Sequence, residues 1–311
     1  MNRFIVQDKN RGERLDKFLV QRFPEYSRSH LQKNIKKGCV TVNGKNENSP
    51  RYALKTGDRV EASIKPLETI NLEPDKTLPL NIIYEDDNLL VINKPAGMVV
   101  HAGAGRPKSN LVNALIAYYP QIKKVGDEPN IRPGIVHRLD KDASGLMVVA
   151  KNNRTFQYLK NLFKKRRVQK IYLALAWGKF KEKKGIINWP LAQNPKNPRK
   201  MVVIQNKKNI LNSKAQSALT EFEVLKQFDN TAYIQVYLRT GRRHQIRVHF
   251  KSIGHPLVND QLYGYRKQKF LGSSRLFLHA TKLGFISIMG KKLSFISRLP
   301  DDLQKILTKQ K

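Results

Sequence analysis

Asp140 lies in a polar bend between two apolar runs. The segment 134–150 reads Gly-Ile-Val-His-Arg-Leu-Asp-Lys-Asp-Ala-Ser-Gly-Leu-Met-Val-Val-Ala. Neighbouring cations at His137, Arg138 and Lys141 favour the charged form of this carboxylate. A charged carboxylate can act as a nucleophile or as a general base. The same pattern is typical of a turn aspartate in a solvated basic loop, so both interpretations stay open at this point.

A second polar cluster occupies residues 238–250, which read Leu-Arg-Thr-Gly-Arg-Arg-His-Gln-Ile-Arg-Val-His-Phe. The pattern predicts a helix beginning near Arg242, with Arg243 and Arg247 one turn apart on one face. Its apolar positions would then pack against the core: Ile246, Phe250 and Ile253. One guanidinium could face a substrate pocket, and a helix whose arginines lie in water is the alternative.

Four histidines raise the question of a metal site: His244, His249, His255 and His279. Their spacing fits no compact zinc motif, and no set of acidic ligands accompanies them. We therefore expect hydrogen-bonding histidines and no metal. The chain also has no Walker-type loop and no dinucleotide fingerprint, so we expect no cofactor.

Residues 168–177 read Val-Gln-Lys-Ile-Tyr-Leu-Ala-Leu-Ala-Trp, which predicts a long strand. Side chains alternate between the two faces of a strand, so Tyr172 shares a face with Ala174 and Ala176. Because these neighbours are small, we expect the tyrosine hydroxyl to be accessible.

The composition indicates a globular protein that could contain two domains. The chain has 311 residues, 40% of them hydrophobic, and no apolar run approaches the roughly 18 residues that cross a bilayer. The first residues show no signal or transit pattern, so we expect a cytoplasmic protein that is not bound to membranes. Cys39 is the single cysteine, which excludes an intramolecular disulfide and fits a reducing compartment.

Positive charge dominates the chain. There are 59 Lys and Arg against 24 Asp and Glu, a formal net charge of +35, and residues 151–214 hold 18 of the basic residues with one acid, Glu182. A field of this kind attracts polyanions, which predicts a surface that contacts phosphates and favours a monomer through self-repulsion. A lysine-rich proteome and a basic DNA-binding protein are the alternatives.

Residues 12–65 form a small basic unit. We predict helices at 14–20 and 27–37, with Ser27 or Ser29 as the N-cap of the second, and a strand that enters the turn Asn43-Gly44. A further strand should follow Asp58. The second helix carries four cations that could contact the phosphates of a polyanion such as RNA: Arg28, Lys33, Lys36 and Lys37.

The rest of the chain divides into a linker at 66–80, rich in proline, and a larger body at 81–311. In the body we predict a helix capped by Ser109, a helix capped by Asn152 or Asn153, and separate strands near 275–280 and 283–288. Strands and helices are mixed rather than alternating, so we expect an α+β fold with a mixed, largely antiparallel sheet.

Three separated motifs resemble the RluA-type RNA pseudouridine synthases: Asn-Lys-Pro-Ala-Gly-Met-Val-Val-His at 93–101, the Asp140 segment, and Thr-Gly-Arg-Arg-His-Gln-Ile-Arg-Val-His at 240–249. Residues 12–65 resemble the small RNA-binding module first recognised in a ribosomal small-subunit protein. The resemblance implies a catalytic domain of the pseudouridine synthase type, with a small N-terminal α/β RNA-binding domain.

What the resemblance implies is the isomerisation of uridine to pseudouridine in RNA without cofactor or metal. Asp140 matches the catalytic aspartate, which attacks either the uracil ring or the ribose. Tyr172 matches a tyrosine that stacks on the base and helps to remove a proton. Arg247 matches the basic partner of the aspartate, and Arg138 matches an arginine that helps to hold the target nucleotide out of the helix. Three further residues of these motifs are expected to bind substrate: His137, Arg242 and His244.

We therefore expect an RNA pseudouridine synthase that acts on large-subunit ribosomal RNA or its precursor. A ribosome-associated RNA-binding factor without turnover is the alternative. A single carboxylate suffices for the chemistry, because a nucleophile can hold one fragment while the glycosidic bond is exchanged for a carbon bond. The target must first leave the base stack, and a basic surface together with an aromatic side chain could offset that cost.

Overall fold

A computed structural model of the protein describes residues 1–26, 28–65, 72–101, 109–205, 214–265 and 270–311. The chain divides into two compact units, Met1–Asn71 and Leu72–Lys311. Ser27, one of the two predicted helix caps, the side chain of the other, Ser29, and residues 66–71 of the predicted linker lie outside the described part.

The smaller unit contains two helices and a four-stranded antiparallel sheet with the order β1-β4-β2-β3. Leucine, phenylalanine and isoleucine side chains from both helices form its core with valines of the sheet. Its elements are β1 (Asn2–Ile5), a 3-10 turn (Asp8–Asn10), α1 (Leu15–Arg22), α2 (Arg28–Lys36), β2 (Val40–Val42), β3 (Lys45–Asn46) and β4 (Arg59–Ala62).

The predicted hairpin is confirmed, since Asn43 and Gly44 connect β2 to β3 with φ of 52° and 78°. The unit differs from the predicted range 12–65 at its start, because β1 pairs with β4. At the other side of the linker, residues 72–80 pack on the larger unit: Leu72 is buried, and the side chain of Asn113 donates to the carbonyl of Glu73.

The larger unit begins with a hairpin and continues as a mixture of strands and helices. Its first elements are β5 (Ile82–Glu85), β6 (Leu89–Lys94), α3 (Leu111–Tyr118), a 3-10 helix (Pro120–Lys124), β7 (Ser144–Ala150), α4 (Asn153–Lys164) and β8 (Gln169–Trp177). The later elements are β9 (Lys184–Ile187), β10 (Leu191–Gln193), β11 (Met201–Val203), β12 (Thr220–Gln227), β13 (Thr231–Leu238), α5 (Gln245–Ser252), β14 (Leu278–Ile286), β15 (Lys292–Ile296) and α6 (Asp301–Thr308).

The large sheet runs in the order β5-β6-β7-β14-β8-β13-β12-β9, and β15 adds to β14. Its pairs are antiparallel except β7 with β14. All of β7 is buried, as expected for a central strand. This α+β arrangement, with a mixed and largely antiparallel sheet, confirms the predicted fold class.

Two local predictions for the larger unit were wrong. The strands expected near 275–280 and 283–288 are the single strand β14, because its pairing with β8 continues from Leu278 to Gly284 across a register shift after Ala280. The cap of α3 is Asn110, which accepts from the Val112 N–H, whereas Ser109 hydrogen-bonds Asp75. The predicted cap of α4 at Asn152 is confirmed by its contact with the Thr155 N–H, 2.9 Å.

Candidate active site

A cavity of about 520 Å³ opens in the larger unit, where the segment before β7 meets β8, the end of β13 and the start of α5. Three predicted catalytic residues line this cavity together: Asp140, Tyr172 and Arg247. The four predicted substrate-binding residues line it as well: His137, Arg138, Arg242 and His244. Residues far apart in the chain therefore meet at one place.

The loop that carries Asp140 is braced by the motif at 93–101. Lys94 is 1% exposed, and its ammonium group donates to the carbonyl oxygens of Pro95, Met98 and Lys141 at 2.7, 3.0 and 3.2 Å. Burial lowers the pKa of Lys94 to about 7, an effect opposed by the charges of Asp140 and Asp142. Lys94 thus ties the two loops together directly behind the aspartate.

The structure explains why residue 145, which follows this loop, is a glycine. Its φ of +118° is unfavourable for other residues, and a Cβ there would collide with the backbone of Ala280 on β14. The parallel pairing of β7 with β14 needs this close approach. The start of β7, and with it the position of Asp140, therefore depends on a residue without a side chain.

Arg247 projects from the first turn of α5 and pairs with two carboxylates. Its Nη1 lies 3.2 Å from Asp140 Oδ2, while Nε and Nη2 lie 2.8 and 2.7 Å from the two oxygens of Asp260. Burial by itself would lower the pKa of Arg247, but Asp260 and Asp140 raise it above its ordinary value. The side chain is thus a permanent cation beside a carboxylate that is 16% exposed.

Sequence reasoning missed Asp260. Its side chain is fully buried, and besides Arg247 it accepts the N–H groups of Leu262 and Tyr263, both at 2.9 Å. The bidentate contact leaves the guanidinium a single orientation toward Asp140. Its place in the segment Asp-Gln-Leu-Tyr-Gly at 260–264, beside the third motif, was the one available signal.

Tyr172 lies on β8 and is 6% exposed, so its side chain is reached from the cavity rather than from the outer surface. Burial and, secondarily, the charge of Asp140 raise the pKa of its phenol well above the ordinary value. The phenol therefore keeps its proton at neutral pH. Stacking on the base and help in removing a proton both stay predictions for Tyr172.

His244 lies on the other side of Asp140. Its Nε2 is 3.9 Å from Asp140 Oδ1, and its Nδ1 is 2.9 Å from the hydroxyl of Tyr263, which accepts the Met201 N–H. Because the Tyr263 oxygen accepts the Met201 N–H, its own O–H can donate to His244 Nδ1. The proton of the neutral imidazole then lies on Nε2. Burial lowers the pKa of His244, so a neutral N–H donor faces the carboxylate.

His137 makes structural contacts inside the larger unit. Its Nε2 accepts the Val148 N–H at 3.0 Å, and its ring stacks on Phe163 with centroids 4.5 Å apart. Burial lowers its pKa to about 3, which keeps the ring neutral. A contact between His137 and substrate stays a prediction, and its hydrogen bond to β7 indicates a structural function beside it.

The two predicted substrate-binding arginines lie at the rim. Arg138 is exposed, and its Nη1 is 3.5 Å from His101 Nε2. Arg242 donates through Nε to the carbonyl of Ser217 at 3.1 Å, which fixes the base of its guanidinium. Both positions permit the predicted contact with RNA, which stays a prediction.

The predicted start of α5 near Arg242 was wrong by three residues. His244 has a left-handed φ of 54°, and the helix begins at Gln245. The buried Gln245 amide accepts from Thr240 Oγ1 at 2.8 Å and from the Arg242 N–H at 3.0 Å, which holds this segment in a turn. Arg243 therefore does not share a helix face with Arg247, and instead donates to the Pro198 carbonyl at 2.7 Å.

In the smaller unit the four predicted RNA contacts fall into two groups. Lys33 and Lys36 on α2 and Lys37 directly after it are exposed, as a surface for RNA requires. Arg28 instead contacts the fully buried carboxylate of Asp16 through Nε and Nη2 at 3.0–3.1 Å, and Arg14 binds the same carboxylate. Arg28 thus has a structural function whether or not it also binds RNA.

Within the described ranges, no group of three or more His, Cys, Asp or Glu side chains is arranged to hold a metal ion. The same ranges contain no helix that is long and apolar enough to cross a membrane.

Two known families match the sequence. Residues 88–252 match the RNA pseudouridylate synthases, and residues 13–60 match the S4 domain. The ribosomal large subunit pseudouridine synthase D of Haemophilus ducreyi is 39% identical over 308 residues, which cover 95% of this chain and 90% of that protein. An uncharacterized RNA pseudouridine synthase of Synechocystis is 38% identical over 303 residues, 97% of this chain and 90% of its own.

Solved structures agree with this assignment. The human RNA pseudouridylate synthase domain containing 1 superposes with a TM-score of 0.60 at 26% identity, and the match covers 75% of this chain and 90% of the human one. The resemblance to RluA-type enzymes is thereby confirmed. The chain belongs to the RNA pseudouridylate synthase family, as an isomerase that carries an N-terminal S4 RNA-binding domain.

Proposed function

We propose that this enzyme isomerises uridine to pseudouridine in large-subunit ribosomal RNA, with Asp140 as the nucleophile. The contact of Asp140 with Arg247 at 3.2 Å, inside a cavity that Tyr172 also lines, is the observation that carries the proposal. Five relatives that match nearly the whole chain are named ribosomal large subunit pseudouridine synthase D. The +35 charge supports an RNA substrate through phosphate contacts.

In the proposed reaction an oxygen of Asp140 bonds to the uracil ring or to the ribose anomeric carbon, while the bond between N1 and the anomeric carbon breaks. The base then turns, its C5 bonds to the anomeric carbon, and the bond to the Asp140 oxygen breaks. C5 loses a proton and N1 gains one, so atoms and electrons balance without a redox partner. Arg247 stabilises the free carboxylate before attack and after release. Tyr172 stacks on the extruded base.

The Asp140→Asn variant tests this proposal. Asn keeps the size of the side chain but is a poor nucleophile, so we expect pseudouridine formation on large-subunit RNA to fall at least 1,000-fold, roughly the loss seen when a catalytic nucleophile is removed. RNA affinity should stay close to that of the wild type. Wild-type protein that binds the RNA and forms no pseudouridine would instead support an RNA-binding factor without turnover.

The substrate is tested separately. Mapping pseudouridines in total RNA from cells with and without this protein should show losses confined to large-subunit RNA, and losses in transfer RNA alone would contradict the proposal. Equal affinity for RNA and duplex DNA in competition at fixed salt would favour a DNA-binding protein. A monomer in the cytoplasm stays a prediction, which light scattering and cell fractionation can check.

A further inference from the structure

We propose that Lys170, together with Arg242, forms a subsite for the phosphate of the target nucleotide. The proposal rests on the proposed function, because it assigns a position to one part of that substrate. Lys170 is part of no motif that predicted the site, and it was not among the expected RNA contacts.

Lys170 is placed by the strand that places Tyr172. The two residues are separated by one position on β8, so their side chains share a face about 7 Å apart. Both line the cavity. The Lys170 ammonium lies 5.9 Å from the Phe163 ring centroid, and a Cβ built on Gly241 would be 3.5 Å from it. One side of the cavity therefore carries the Tyr172 ring and the Lys170 ammonium group next to each other.

The Lys170 ammonium group has no counterion among the described residues. Among the described residues that line the cavity, Asp140 is the one acid, and it is engaged by Arg247. Two other lining cations are matched by acids outside the cavity, Arg132 by Glu128 and Arg239 by Glu221. The ammonium group of Lys170 has no hydrogen bond or ion pair with any described residue.

This arrangement is unfavourable unless an anion enters. Burial, followed by the charge of Arg242, lowers the pKa of Lys170 to about 8. Lys170 is partly buried, and a phosphodiester supplies both the charge and the acceptor oxygens that its ammonium group lacks. With the reacting base at Asp140 and Tyr172, the sugar and its phosphate must extend along the cavity wall, and Lys170 is the cation next along the strand.

Lys94 shows what a structural lysine looks like in the same unit. It is fully buried, whereas Lys170 is partly buried, and three carbonyl oxygens satisfy its ammonium group. The ammonium group of Lys170 has none of these acceptors, and it lines the cavity. The contrast supports ligand binding rather than loop bracing for Lys170.

The test measures RNA affinity in the Asp140→Asn background, so that turnover does not enter. Lys170→Met keeps the aliphatic stem and removes the charge, and we expect about tenfold weaker binding of large-subunit RNA. The slope of log affinity against log salt is negative, and its magnitude should decrease by about 0.7, the value for one lost phosphate contact with single-stranded RNA. Lys170→Arg should stay within about threefold of the parent. Lys292→Met, an exposed lysine on β15 outside the cavity, should change neither quantity.

A second measurement replaces one phosphate at a time beside the modified uridine by an uncharged methylphosphonate. One position should weaken binding to the parent protein about tenfold and leave Lys170→Met unaffected, since both changes remove the same contact. Unchanged affinity and salt slope in a folded Lys170→Met protein would overturn the proposal. Equal losses in Lys170→Met and Lys170→Arg would overturn it too, because they indicate packing.

The two proposals can fail separately. Wild-type protein that forms no pseudouridine refutes the proposed function, and the affinity comparison still decides the subsite because it needs no turnover. Conversely, an active enzyme whose RNA affinity does not depend on Lys170 would support the proposed function and refute the subsite.

Discussion

Asp260 holds Arg247 in a buried bidentate ion pair of 2.7 and 2.8 Å, and this pair aims the remaining nitrogen of the guanidinium at Asp140. The candidate nucleophile and Arg247 are 107 positions apart in the chain, and the second carboxylate sets the geometry between them. Asp260 is therefore a positioning residue in the proposed mechanism.

Asp260→Asn should impair both folding and turnover. The amide removes one charge from a buried pair, which costs about 3 kcal/mol of unfolding free energy, and kcat should fall more than tenfold while KM changes little. Urea denaturation and single-turnover assays measure the two effects. Glu221→Gln, which breaks the exposed pair with Arg239, is the control and should cost less than about 1 kcal/mol. Full activity of Asp260→Asn would show that Arg247 needs no second carboxylate.

Gly145→Ala should destabilise the protein strongly. The new Cβ meets both an unfavourable φ of +118° and the backbone of Ala280, so we expect a loss of about 3 kcal/mol or more in unfolding free energy. Gly290→Ala is the matched control, because it has φ +78° and open space around it, and should cost about 1 kcal/mol. Equal losses at the two positions would mean that the contact between β7 and β14 is not tight.

Acid should destabilise the protein through its buried histidines. Burial, with a smaller effect from Arg275, lowers the pKa of His279 from 6.5 to about 4. Between these values the unfolded chain binds a proton that the folded chain does not, so the unfolding free energy falls as the pH falls. One such group contributes up to about 1.4 kcal/mol per pH unit.

Denaturation curves from pH 7 to pH 4 measure this slope. His279→Gln should make it shallower by up to about that amount, while His137, whose pKa is lowered to about 3, maintains part of the slope. An unchanged slope in a folded His279→Gln protein would contradict a neutral buried imidazole at this position.

The exposed face of α2 should contribute to RNA affinity. Replacing Lys33, Lys36 and Lys37 by Ala removes three charges that are exposed, and the salt slope should fall by up to about 2 while thermal stability stays unchanged. Arg28→Ala should behave differently, because it deprives the buried Asp16 of a partner and destabilises the smaller unit. A triple variant with the parent salt slope would place the RNA elsewhere on that unit.

Local patterns were sufficient for much of the fold. The turn at Asn43-Gly44 and the helix cap at Asn152 depend on residues within a few positions of one another, so both could be predicted from the sequence. The separate motifs around Asp140 and Arg247 also pointed to one site. Patterns within a few positions did not predict β14 correctly, because pairing with strands distant in the chain joins two predicted strands into one.

The sequence by itself determined the charge, the order of the motifs and the candidate nucleophile, because these are properties of residue type and spacing. Only the tertiary structure decided how the site is supported. Asp260 orients Arg247, Lys94 braces the aspartate loop, and Arg28 is engaged by a buried carboxylate. Each of these is a contact between groups that are not neighbours in the chain, and its strength comes from burial, which arises only when the elements pack.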